Sequence, residues 1–180
     1  MDFGSFCKGA YLARDFVNTK AWFSGKERLT GPDEVRALLR RHDLDRRVAK
    51  AEIPRIHELR DRVRSVFAAA DEVSVRRQIA TLLADYPSRP ELAASGEGGV
   101  TFAPVGNDAV SWLGANVATG LAFFVAQHGT ARLGLCGASD CDDAFVDESK
   151  NHTKHYCSVG CTRNENVRAF RARKRKSETA

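Results

Sequence analysis

The sequence predicts a mainly α fold: an N-terminal helical domain over residues 1–130 with one small β-hairpin, then a short module over 131–180 that ends in a basic helix. Three observations carry this. Apolar residues in the first part recur at three- and four-residue spacing, the period of one helix face. Four of the five cysteines fall in two close pairs near the C-terminus. The charge is lopsided as well: residues 150–180 hold nine Lys/Arg and two acids, a balance of +7, against −2 for residues 1–149.

Residues 8–20, with Tyr11, Leu12, Phe16 and Val17, read as the first helix, ending at Asn18-Thr19. Trp22 and Phe23 then precede a loop around Gly25. Pro32 suits the first turn of a second helix, Asp33 and Glu34 favour the positive end of its dipole, and Val35, Leu38 and Leu39 form its buried face. The strongest pattern covers 54–70, where Ile56, Leu59, Val63, Val66, Phe67 and Ala70 make one stripe. Arg55, Arg60, Asp61, Arg62 and Arg64 are assigned to a solvated face opposite it. A fourth helix is expected from an N-cap at Ser74, with Val75, Ile79, Leu82 and Leu83 inward, stopping before Pro87.

The Gly-rich stretch 91–104 predicts the hairpin. Its Gly96, Gly98 and Gly99 lack the Lys and Ser/Thr of a phosphate loop and read as a turn. Asn107 is expected to cap a helix over 108–128, whose wide stripe of Val110, Leu113, Val117, Leu121, Phe124 and Val125 marks the central core helix. His128 reads as an imidazole at its C-terminus and Gly129 as its stop.

Cys136 and Cys141 form a C-x4-C pair, Cys157 and Cys161 a C-x3-C pair, with fifteen residues between them. Four thiolates complete the tetrahedral shell of a structural Zn²⁺ and leave no open position for catalysis. Iron–sulfur ligation is the competing chemistry, and His152 or His155 the alternative ligands. Residues 144–147 and 153–157 are expected to pair, and a helix to open at Val159 with Cys161 on its first turn. Knuckle, hairpin and helix make a treble-clef-like zinc module. So few apolar residues fold only with the metal, whose binding supplies about 10–16 kcal/mol in comparable finger peptides. Cys7 stands apart as an ordinary thiol.

The helix after Cys161 carries Arg163, Asn164, Arg168, Arg171, Arg173, Lys174 and Arg175. Asn164, Arg168, Arg171 and Arg175 fall within about 60° of one another at 3.6 residues per turn. That stripe is expected to face double-stranded DNA, with Val167 and Phe170 packed on the knuckle. Two other readings compete. One is a small-molecule-binding or enzymatic helical domain in which the zinc module is only structural. The other is an adaptor or RNA binder, disfavoured by the lack of an aromatic stacking platform. No Ser/His/Asp set is recognisable, so the chain reads as a non-enzyme. No run approaches the ~20 apolar residues of a membrane span, and the N-terminus lacks the apolar core of a signal peptide, which predicts a reducing cytoplasm.

Phe145-Val-Asp-Glu-Ser149, Tyr156-Cys-Ser158 and Arg171-Ala-Arg173, set around the cysteine pairs, resemble the CGNR-type zinc finger. Arg14-Asp-Phe-Val-Asn-Thr19 and Leu59-Arg…Phe67-Ala-Ala-Ala70 resemble the α-helical ABATE domain that normally precedes it. The resemblance covers nearly the whole chain. It implies a bacterial, stress-related transcription regulator that binds DNA through the finger. Its helical domain would be sensory or dimerising, with a small-molecule effector and a second copy of the chain as candidate partners. One departure stands out: the signature cysteine should be followed by Gly-Asn-Arg, whereas Cys161 precedes Thr162-Arg163-Asn164. The ligands are untouched, but the swapped order points to backbone contact near the knuckle rather than base readout.

Overall fold

A computed structural model describes residues 4–92 and 100–178, among which lie six α-helices and three two-stranded antiparallel ribbons. Helix α1 (Gly4–Val17) leads into a minimal ribbon of β1 (Lys20–Ala21) and β2 (Lys26–Glu27), turned at Gly25, whose φ of 73° favours a residue without Cβ. Helix α2 (Pro32–Arg40) starts on Pro32 and buries Val35, Leu38 and Leu39. Helix α3 (Ile53–Ala68) buries the expected stripe except Ala70, which is exposed beyond its end.

Helix α4 (Glu72–Asp85) begins one turn earlier than its expected cap. Asp71 is the N-cap and accepts from the Ser74 amide at 2.8 Å, while the Ser74 hydroxyl donates to the same carboxylate. The cap of α5 (Ala109–His128) likewise moves one residue, from Asn107 to Asp108, which accepts from the Ser111 amide. Between them β3 (Ser88–Leu92) pairs with β4 (Val100–Pro104), the expected hairpin. The turn reading of Gly96, Gly98 and Gly99 lies outside the described residues, as does the Cys7 side chain.

The axis of the core is α5. By length and composition it is apolar enough to cross a membrane, contrary to the expectation that no stretch would be, but 67% of its most apolar window is buried inside the protein. Helix α1 crosses it at a point made for two glycines. A Cβ on Gly9 would lie 2.6 Å from the Gly120 Cα, and one on Gly120 would lie 2.3 Å from the Gly9 Cα. Backbone meets backbone, so no side chain can yield. Gly120→Ala is therefore expected to destabilise by about 1–3 kcal/mol, seen as a lower urea midpoint at unchanged slope.

The expected solvated face of α3 needs correction. Arg60 is 1% exposed and lies on the buried stripe, 3.1 Å from the Thr19 hydroxyl and in a bidentate pair with Glu27 at 2.6 and 2.5 Å. Arg64 lies over the Trp22 ring at 4.4 Å, and Arg62 pairs with Asp85.

The C-terminal hairpin also differs from expectation. Strand β6 (Ala144–Val146) pairs with β5 (Leu133–Leu135), in the register Leu133↔Val146 and Leu135↔Ala144, and 153–157 form no strand. The first knuckle is itself the turn of this hairpin. Residues 147–154 instead wrap around buried Asp147, which accepts from the Ser149 and Lys154 amides. Ala144 and Val146 belong to the main core, and Asn18 clamps Ala144 by accepting from its N–H at 2.7 Å and donating to its C=O at 2.9 Å.

Candidate metal centre and nucleic-acid interface

Each cysteine pair is shaped locally before the two meet. In the first knuckle the Cys141 amide donates to Ala138 C=O and the Cys136 amide to Asp143 C=O, curling the chain between β5 and β6. The Gly137 amide donates to His155 C=O at 2.9 Å, which brings the second pair alongside. Ser158 caps helix α6 (Val159–Glu178), its hydroxyl accepting from the Cys161 amide at 3.2 Å. Cys161 thus sits in the first helical turn, where the dipole favours a thiolate.

The four Sγ atoms lie within 4.8 Å of one another, with Cys141–Cys157 and Cys157–Cys161 separations of 3.6 Å. A ZnS₄ tetrahedron with bonds of about 2.3 Å has sulfur–sulfur edges of about 3.8 Å, so the donor set fits Zn²⁺. The Cys157 amide also donates to Cys136 Sγ at 3.3 Å. Burial and the neighbouring sulfurs push the Cys157 thiol up to about 12 and raise Cys141 as well, whereas the Ser158 hydrogen bond lowers Cys161. Crowded sulfurs resist ionising together, and a dication removes that resistance. The four cysteines are the ligands of a structural zinc with a closed shell. Among the described residues neither histidine joins the cluster: His152 meets Arg132 Nη2, and His155 contributes its carbonyl.

The predicted nucleic-acid residues all lie exposed on α6, but not equivalently. Arg168 bridges the helix to the first knuckle, pairing with Asp140 and Glu165 at 2.6 Å and reaching the Ser139 hydroxyl. Glu165 in turn accepts from the Ser139 amide at 3.0 Å. The pairing shows in both partners: hydrogen bonds from Arg168 hold Asp140 below the usual carboxylate range, and those carboxylates raise Arg168. Arg163, Arg171 and Arg173 make no ion pair among the described residues. The expected packing of Val167 and Phe170 on the knuckle is overturned. They are 41% and 61% exposed, and with Val159 and Asn166 they line an open groove along the helix. Phe170 follows Arg168 by two residues, about 200° around the helix, so both cannot face the knuckle.

Two hollows bear on an effector. One, beside Gly9 and Gly120 and lined by Leu12, His42 and Phe102, holds about 250 Å³. The other, about 430 Å³ between α1 and α2, is open and walled by Asp15, Arg28, Glu34 and Arg41. The first is smaller than most small-molecule sites, and the second is open to solvent between charged walls rather than enclosed. What the sequence reading passed over is the joint between the two parts, Asn18 on Ala144, and a buried pairing inside the helical part, Arg60 between Thr19 and Glu27. Both lie in the segments that carried the helical-domain resemblance.

Comparison with known proteins agrees with this arrangement. Residues 132–174 match the CGNR zinc finger family, and residues 11–128 match the ABATE family, whose description is "Putative stress-induced transcription regulator". No curated protein matches the chain. The matched order, helical domain then finger, covers the two structural parts joined by Asn18, and the chain belongs to the ABATE family with a C-terminal CGNR zinc finger.

Proposed function

We propose that this protein is a transcription regulator that binds double-stranded DNA through α6. The observation supporting it most is the exposure of Arg163, Arg171, Arg173, Lys174 and Arg175 on a helix fastened to a zinc knuckle. A rigid cationic rod of this kind displaces counterions from the phosphate backbone, and this is the main source of sequence-independent affinity. The closed sulfur shell leaves the zinc no position for substrate or water, so the metal's part in this reading is structural, holding α6 for binding. Free, closely set thiols suit a reducing compartment, and we assign it to the cytoplasm.

The test is fluorescence anisotropy of the full-length, zinc-loaded protein on random-sequence duplex across a salt series. Arg171→Ala is expected to weaken binding to every duplex and to lower the salt slope by about one unit. Folded, zinc-loaded protein that binds no duplex even at low salt would overturn the reading.

A further inference from the structure

We propose that α6 reads DNA sequence with the side turned away from the zinc, through Asn166 and Phe170 flanked by Arg163 and Arg173, while the Arg168 side holds the helix to the knuckle. This rests on the DNA-binding reading above and assigns its specificity.

The geometry is that of a helix fixed along one edge. At about 100° per residue, Cys161 and Glu165 lie about 20° and 60° from Arg168. All three are committed to the knuckle, as sulfur ligand, Ser139 acceptor and Asp140 partner. Val159, Arg163, Asn166, Phe170 and Arg173 lie about 140–180° away, so they point outward. Val159 is 85% exposed and Phe170 61%. An apolar ridge on a solvated helix is unfavourable unless something covers it.

Charge selects the occupant. Residues 150–180 carry a balance of +7, so a second copy of α6 would bring like charges together, whereas an anionic surface is attracted. On the knuckle side, Asp140 and Glu165 would repel phosphates; the outward side carries no acid between Val159 and Arg173. The outward chemistry also matches base edges. Asparagine pairs with adenine, arginine with guanine or phosphate, and an apolar group rests on the thymine methyl. The major groove admits a single helix of this kind.

The experiment selects preferred duplexes from a random library with the full-length, zinc-loaded protein, then measures Asn166→Ala, Phe170→Ala and Arg171→Ala on preferred and random duplexes. Asn166→Ala and Phe170→Ala are each expected to lose at least about fivefold discrimination at one base pair, with random-duplex affinity nearly unchanged. Arg171→Ala should weaken both duplexes alike. Selection that yields no preferred sequence, or variants that keep full discrimination, overturns the reading face while leaving DNA binding intact. Sedimentation showing that Phe170→Ala dissociates a dimer without altering base preference would give this face to a second copy instead. Wild-type protein that binds no duplex sinks both proposals.

Discussion

Replacing any one of Cys136, Cys141, Cys157 or Cys161 by serine is expected to remove the zinc and to unfold more than the finger. Zinc binding supplies about 10–16 kcal/mol in finger peptides, comparable to the whole stability of a typical domain at about 5–15 kcal/mol. The first knuckle is the turn of the β5–β6 hairpin, and that hairpin places Ala144 and Val146 in the main core. Without the metal the hairpin loses its turn, and Asn18 loses the two backbone groups it clamps. The damage therefore runs into α1 and α3, against which the hairpin packs.

Wild-type protein should carry one zinc equivalent, and chelation should lower the midpoint of the entire helical signal in one transition. A chain truncated after residue 130, which the apolar stripes alone suggest would fold, should lose much of its cooperativity because the inner wall supplied by β6 is gone. Helices that melt at an unchanged temperature after chelation would show two independent units.

The sequence made the ligands and helices legible for different reasons. Metal geometry restricts cysteine spacing so tightly that four positions suffice, and amphipathic helices repeat their faces over many residues. Val35, Leu38 and Leu39 therefore land inside as expected, as do Ile56, Leu59 and Val63. Pairings between distant segments leave no local period. The partner of β6 proved to be β5 rather than 153–157 because the knuckle supplies the turn, something no alternation pattern encodes. The crossing of Gly9 and Gly120 depends on two backbones separated by most of the helical domain.

Arg60 was legible but misassigned by residue type. It follows Ile56 by four residues and precedes Val63 by three, which places it on the apolar face. One member of the tail's stripe, Arg168, is likewise drawn to the protein, pairing with Asp140 on the knuckle. A wheel groups Asn164, Arg168, Arg171 and Arg175 and also sets Cys161 among them, so Arg168, about two turns past the ligand, meets the knuckle while Arg171 and Arg175 farther along stay exposed.

The second large effect should come from separating Arg60 and Glu27. The Arg60 guanidinium is buried between Thr19, Glu27 and the Trp22 ring, while Glu27 also accepts from the Leu29 amide at 2.8 Å. Glu27→Gln is expected to cost about 3–5 kcal/mol, because it leaves a buried positive charge without its counter-ion. Arg60→Leu should cost less, since the Glu27 side chain is 30% exposed and reaches water. Replacing both by apolar residues should recover much of the loss, which a double-mutant cycle would read directly.

The pair also fixes an acid-sensitive term. Burial alone raises the Glu27 carboxyl, but hydrogen bonds from Arg60 and the Leu29 amide, with the charges of Arg60 and His57, hold it at about 2 instead of 4.5. A carboxylate depressed on folding stabilises fully above its unfolded value. The contribution is therefore present above about pH 4.5 and is lost as pH falls towards 2. Acid also strips zinc from the thiolates, but that loss is common to wild type and Glu27→Gln. The stability gap between the two should stay constant from neutrality to about pH 4.5 and narrow below it. A gap that does not change with pH would mean that Glu27 keeps an ordinary carboxyl and that Arg60 is held by packing alone.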